Sequence, residues 1–192
     1  MPVRRWRTRP EPRMPQDSPR LGLILGGARS GKSRHAEAII TALPSPWVYL
    51  ATGRAWDEEM RERIALHRQR REAGWRTVEV PVALADAFDE HDSHPVLVDC
   101  LTLWLTNLLL EEHDIAQATD ALLAALERRR APTMLVGSEV GLGIVPETAL
   151  GRRFRDEAGL LHQKIAAIAD RVVLVVAGLA LTMKDAPGDR MR

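Results

Sequence analysis

From residue 21 onward, short apolar runs alternate with longer amphipathic stretches. The runs LGLIL (21–25), WVYLA (47–51), VLVDC (96–100), TMLVGS (133–138) and RVVLVVAG (171–178) are short and almost continuously apolar, and read as buried strands. WRTVEV (75–80) alternates instead and reads as a strand nearer a sheet edge. Between these runs the patterning predicts helices over about 32–43, 57–72, 82–90, 101–111, 115–130 and 148–169. Strands without a polar face need cover on both sides. The alternation therefore predicts an α/β fold with a mostly parallel central sheet flanked by helices on both faces. Right-handed crossovers gather the loops that follow the strands at one sheet edge, where ligands bind in such folds.

The first of those loops carries a chemical signature. Residues Gly26, Gly27, Ala28, Arg29, Ser30, Gly31, Lys32 and Ser33 satisfy G-x-x-x-x-G-K-[ST], with a predicted strand before and a predicted helix after. Successive backbone N–H groups of such a loop point inward, and the helix adds its positive end. Lys32 supplies a mobile positive charge for the outer phosphates, and Ser33 a hydroxyl ligand for a magnesium ion bound to them. A second acidic group is needed for the metal. Asp99 ends the apolar strand VLVD at the predicted ligand edge, where a Walker-B carboxylate belongs.

Composition narrows the partners. Apolar content is 45% and the formal net charge +1, so the chain as a whole offers no case for nucleic acid or an anionic membrane. No apolar run reaches transmembrane length, so no stable membrane insertion is expected. Cys100 is the single cysteine, which excludes an intramolecular disulfide and agrees with a cytoplasmic setting. Residues 1–20 are rich in arginine and proline and read as a basic, disordered tail. Residues 21–182 read as the folded domain and 183–192 as a polar C-terminal tail.

The helix predicted to start near Asp57 carries Glu59, Arg63 and His67 on one face. A solvated charged face satisfies that spacing. A neutral imidazole can also attack an activated phosphorus and become a covalent carrier. The neighbouring arginines Arg68, Arg70 and Arg71 would neutralise triphosphate charge beside it. Spacing alone does not single out His67 from His35, His91, His94, His113 and His162. SEVGLGIVPE, with Ser138 and Glu139 just past a strand, reads equally as an acceptor-binding loop or a flexible connection.

GGARSGKSRHAE, YLATGRAWDEEMRERIALHRQRR, GWRTVEVP, VLVDCLTLWLTNLL, SEVGLGIVPE and RRFRDEAGLLHQKIA follow one another in an order that resembles the bifunctional adenosylcobinamide kinase and adenosylcobinamide-phosphate guanylyltransferase family, over about residues 21–180. The resemblance implies a RecA-like P-loop NTPase fold and a homo-oligomer. It implies two reactions of cobalamin biosynthesis. A nucleoside triphosphate, ATP or GTP, phosphorylates adenosylcobinamide; then GTP gives GMP to adenosylcobinamide phosphate, with magnesium as cofactor and pyrophosphate as product. It assigns catalysis to Lys32 and to His67, the latter as the guanylylated carrier. Nucleotide contacts carry over to Gly26–Ser33, Thr52, Gly53, Arg54, Arg68, Gln69, Arg70, Arg71, Glu79 and Asp99, and metal contacts to Ser33 and Asp99. His162 stands where similar sequences often have asparagine. The alternatives that the phosphate loop leaves open are a small-molecule kinase without guanylyl transfer and a RecA-like nucleotide-driven switch.

Overall fold

The structure is a computed structural model that describes residues 19–54, 58 and 73–185. Residues 1–18 of the basic tail expected over 1–20, and the helix expected over 57–72 apart from Glu58, lie outside the described residues. Seven strands form one sheet: β1 (Leu21–Gly26), β2 (Trp47–Ala51), β3 (Trp75–Glu79), β4 (Val96–Asp99), β5 (Thr133–Ser138), β6 (Arg171–Val176) and β7 (Leu179–Asp185). Their order is β3-β2-β4-β5-β1-β6-β7, parallel throughout except that β7 runs antiparallel to β6. The described helices are α1 (Lys32–Thr41), α2 (Leu84–Glu90), α3 (Leu101–Leu110), α4 (Ile115–Arg128) and α5 (Ala149–Ile168).

The continuous apolar runs become the inner strands because both of their faces are buried. Leu21, Leu23, Val48, Leu50, Val96, Val98 and Leu135 point into one core with Trp104, Leu105, Leu122 and Ile165 from α3, α4 and α5. The alternate residues Ile24, Tyr49, Leu97, Met134 and Val136 point the other way, onto Ala36 and Ile40 of α1. Side-chain alternation along each strand thus divides one sheet between two helical layers. Helices α4 and α5 begin where Asp114 and Thr148 accept hydrogen bonds from the N–H groups of Gln117 and Gly151.

One element departs from the sequence-based expectation. RVVLVVAG is not a single strand: β6 stops at Val176, the chain reverses at Ala177 and Gly178, and β7 returns beside it. Both turn residues have positive φ, 52° and 77°, the signature of a tight hairpin turn that matches strand twist. Ala-Gly is a weak turn signal beside Asn-Gly, and β7 is exposed along almost its whole length, so burial patterning did not mark it.

Candidate active site

The loop after β1 is built for close backbone approach. A Cβ at Gly26 would lie 2.5 Å from Ser30 Oγ and 2.5 Å from the Val175 carbonyl oxygen, so the sharp exit from the strand needs glycine there. Gly31 caps α1 with φ 96°, a left-handed conformation that favours glycine. The Gly178 N–H donates to the Ser30 carbonyl at 2.8 Å, so the β6–β7 turn braces the loop from behind. The Lys32 ammonium lies back across the loop and donates to the Gly27 carbonyl at 3.1 Å. An ammonium carries three donors, so this one bond leaves capacity for phosphate oxygens. Ser30 Oγ is buried and has no hydrogen-bond partner among the described residues.

Asp99 ends β4, two strands from the loop, at the same sheet edge. The Tyr49 hydroxyl donates to Asp99 Oδ2 at 2.9 Å and orients the carboxylate. Ser33, in the first turn of α1, and Asp99 offer a hydroxyl and a carboxylate, the hard oxygen donors that magnesium takes. No group of three or more His, Cys, Asp or Glu side chains among the described residues could hold a metal alone. The donor set therefore fits an ion that completes its shell with phosphate oxygens and water, as magnesium usually does.

Thr52 follows β2 and is fully buried. Its hydroxyl accepts from the Cys100 N–H at 2.8 Å and donates to the Cys100 carbonyl at 2.7 Å, stitching the loop after β2 to the residue after Asp99. Asn107 of α3 completes the stitch, donating to the carbonyls of Thr52 (2.8 Å) and Pro81 (2.9 Å). Burial, and then the nearby Asp99 charge, push the Cys100 thiol up to about 11, so it is a packing residue and not a nucleophile at neutral pH. Tyr49 and Asn107 are site-supporting residues that sequence reasoning passed over. Asn107 had a signal, a lone amide inside the apolar run LTLWLTNLL.

Arg54, two residues after Thr52, pairs with Glu111 at the end of α3 at 2.9 Å. Glu79 ends β3 and is exposed at the same edge, in register with Ala51. At interstrand spacings of about 4.8 Å, its four strand steps from β1 amount to roughly 19 Å. The structure thus brings the phosphate loop, Asp99, Thr52, Gly53, Arg54 and Glu79 to one sheet edge. His67, Arg68, Gln69, Arg70 and Arg71 lie outside the described residues.

A strand-loop-helix phosphate cradle beside β5, with a carboxylate at the end of the next strand, defines a RecA-like P-loop NTPase. Solved structures share this fold: the flagellar accessory protein FlaH from Methanocaldococcus jannaschii (TM-score 0.50, 12% identity, 90% of this chain and 80% of that one) and the Pyrococcus horikoshii protein PH0250 (TM-score 0.51, 8% identity, 88% of each chain). Residues 22–183 match the model of the cobinamide kinase / cobinamide phosphate guanyltransferase family, and the chain belongs to that family. The chain is 49% identical over 169 residues to the bifunctional adenosylcobalamin biosynthesis protein CobP of Pseudomonas aeruginosa, covering 86% of this chain and 98% of the relative. It is 43% identical over 179 residues to the corresponding protein CobU of Escherichia coli, covering 84% and 98%.

Proposed function

We propose that this enzyme carries out both reactions its family is named for, and that one phosphate loop serves both in sequence. The supporting observation is the family match over residues 22–183, which coincides with a fully formed phosphate cradle from Gly26 to Ser33. In the first reaction the loop N–H groups and Lys32 hold the triphosphate of ATP or GTP while the aminopropanol hydroxyl of adenosylcobinamide takes the γ-phosphoryl group. Such transfer is mostly alignment and charge neutralisation. Ser33 and Asp99 would hold magnesium, which when bound offsets charge on the phosphate oxygens.

In the second reaction a ring nitrogen of His67 attacks the α-phosphorus of GTP. The α–β bridging P–O bond breaks, its electron pair leaves with pyrophosphate, and the imidazole gives up its proton. An oxygen of adenosylcobinamide phosphate then attacks the phosphoramidate, and the nitrogen recovers its electron pair as GMP passes on. Gly53, Arg54, Glu79 and residues Arg68 to Arg71 would hold the nucleotide along the sheet edge, with the buried Thr52 fixing the loop behind them. A homo-oligomer suits the exposed apolar residues Leu179, Leu181 and Met183 on β7 and is checked by light scattering. No helix among the described residues is long and apolar enough to cross a membrane.

The test uses GTP labelled at the α-phosphorus. The protein is expected to take up an acid-labile, alkali-stable label that His67→Ala abolishes. Absence of label from the wild-type protein, with adenosylcobinamide still phosphorylated, leaves the simple kinase in its place.

A further inference from the structure

The phosphoryl-transfer half-reaction releases a proton from the acceptor hydroxyl, and neither Lys32 nor the loop N–H groups can take it. We infer that Glu139 is the base that accepts this proton, at the point where β5 leaves the sheet between the phosphate loop and Asp99. The inference rests on the two-reaction reading above.

β5 lies between β1 and β4, with Ser138 in register with Gly26 and Val136 in register with Asp99. Glu139 is therefore the first residue to leave the sheet between the cradle and the acidic strand end. Its own N–H donates to the Gly26 carbonyl at 3.1 Å. The preceding N–H, of Ser138, donates to Thr102 Oγ1 of α3 at 2.7 Å. These two bonds fix the backbone of this position against the loop on one side and α3 on the other.

The side chain is half-buried, and its Oε1 accepts the Gly141 N–H at 2.6 Å. Oε2 makes no hydrogen bond to any described residue, so one carboxylate oxygen is held and the other is open. The other carboxylates at this edge are differently placed. Asp99 is bound by Tyr49, Glu111 is paired with Arg54, and Glu79 is four strands from β1. Beside Glu139, the His162 ring fills the space a side chain at Gly137 would take: a Cβ there would lie 2.6 Å from His162 Nε2. Beyond Glu139 in the same loop, Leu142 and Ile144 are almost fully exposed.

The balance is simple. The hydroxyl oxygen bonds to the γ-phosphorus, the β–γ bridging P–O bond breaks, and its electron pair stays on the nucleoside diphosphate. The hydroxyl proton moves to Glu139 Oε2 and from there to water. A positioned base of this kind contributes about a hundredfold or more.

The test separates the half-reactions in Glu139→Gln. Phosphorylation of adenosylcobinamide with ATP is expected to lose about 100-fold in kcat. Guanylylation of the protein by α-labelled GTP alone, where no acceptor hydroxyl takes part, is expected to stay within about twofold of wild type. Glu139→Asp, which keeps a carboxylate, recovers part of the phosphorylation. Wild-type phosphorylation in Glu139→Gln, or parallel loss of both half-reactions in a variant that melts like wild type, overturns the assignment. Should Glu139→Gln unfold, Glu139→Asp decides: loss in phosphorylation alone supports the base, and equal loss in both overturns it. A wild-type protein that cannot phosphorylate adenosylcobinamide at all counts against the two-reaction reading instead.

Discussion

At the amino-terminal edge of the sheet, Arg129 is 2% exposed. Its guanidinium donates to the carbonyls of Phe88 (3.1 Å), His91 (3.0 Å) and His94 and to the Thr133 hydroxyl (2.7 Å), and stacks on the Phe88 ring. At the carboxyl-terminal edge, Lys32 has one exposed bond to a loop carbonyl, and Glu139 has one oxygen held and one open. A cation with four of its five N–H donors used, out of water, holds segments together. A cation with donors to spare, in reach of water, waits for a ligand. Burial pulls the Arg129 guanidinium down to about 10, which still leaves it charged at neutral pH. That charge is why three carbonyls converge on it.

The sharpest way to break this contrast is to remove each cation. Arg129→Ala removes four hydrogen bonds, to the carbonyls of Phe88, His91 and His94 and to the Thr133 hydroxyl, and leaves the His94 carbonyl without its donor; it is expected to cost about 3–5 kcal/mol in denaturant unfolding, at unchanged activity per folded molecule. Lys32→Ala should do the reverse. Unfolding midpoints stay within about 0.5 kcal/mol of wild type, while phosphoryl transfer falls by about 100-fold to 1,000-fold. Loss of activity in Arg129→Ala beyond its loss of folded protein, or a large stability loss in Lys32→Ala, would erase the distinction between the two edges.

Two smaller changes probe how the ligand edge is held in shape. Gly26→Ala forces a Cβ against Ser30 Oγ and the Val175 carbonyl, and one of those neighbours is backbone. A cost of about 1–3 kcal/mol is expected, together with weaker nucleotide binding by titration calorimetry. Thr52→Val keeps the shape but leaves the buried Cys100 N–H without its acceptor, for a loss of about 1–2 kcal/mol in thermal unfolding. If nucleotide affinity falls less in Thr52→Val than in Gly26→Ala, the hydroxyl serves the loop geometry and not the ligand.

The ligand edge was readable in advance because its chemistry is local. Eight contiguous residues make the phosphate loop, and the acid proposed to work with it, Asp99, ends an apolar strand. The inner strands were equally readable, since burial on both faces forces continuous apolar runs. The opposite edge was not. Arg129 sits in the run ERRRA and looks like one more solvated charge on an α4 end, because the carbonyls that bury it come from residues 88, 91 and 94, far off in sequence. Strand β7 escaped for a related reason: it pairs through backbone and buries little side chain. Glu139 was visible as a residue after a strand, but its placement between Gly26 and Asp99 depends on strand order, which apolar patterning does not encode.

The smallest expected effect lies at His162, where the two readings of a buried polar group meet. The ring is 7% exposed, and burial lowers its pKa from the ordinary value of 6.5, with the nearby Glu139 charge pulling it partly back. A group whose folded pKa is depressed binds more protons in the unfolded chain. Its contribution is therefore fully present above pH 6.5 and is lost as pH falls from there toward the folded value. Wild-type stability should decline between pH 7 and pH 5, and His162→Asn, which cannot titrate, should decline less steeply over the same interval. The measurement is a set of urea midpoints at half-unit pH steps for both proteins. Parallel curves would mean that the ring is as free to take a proton in the fold as in the unfolded chain. In that case the packing of His162 against Gly137 would no longer count as burial of a neutral group.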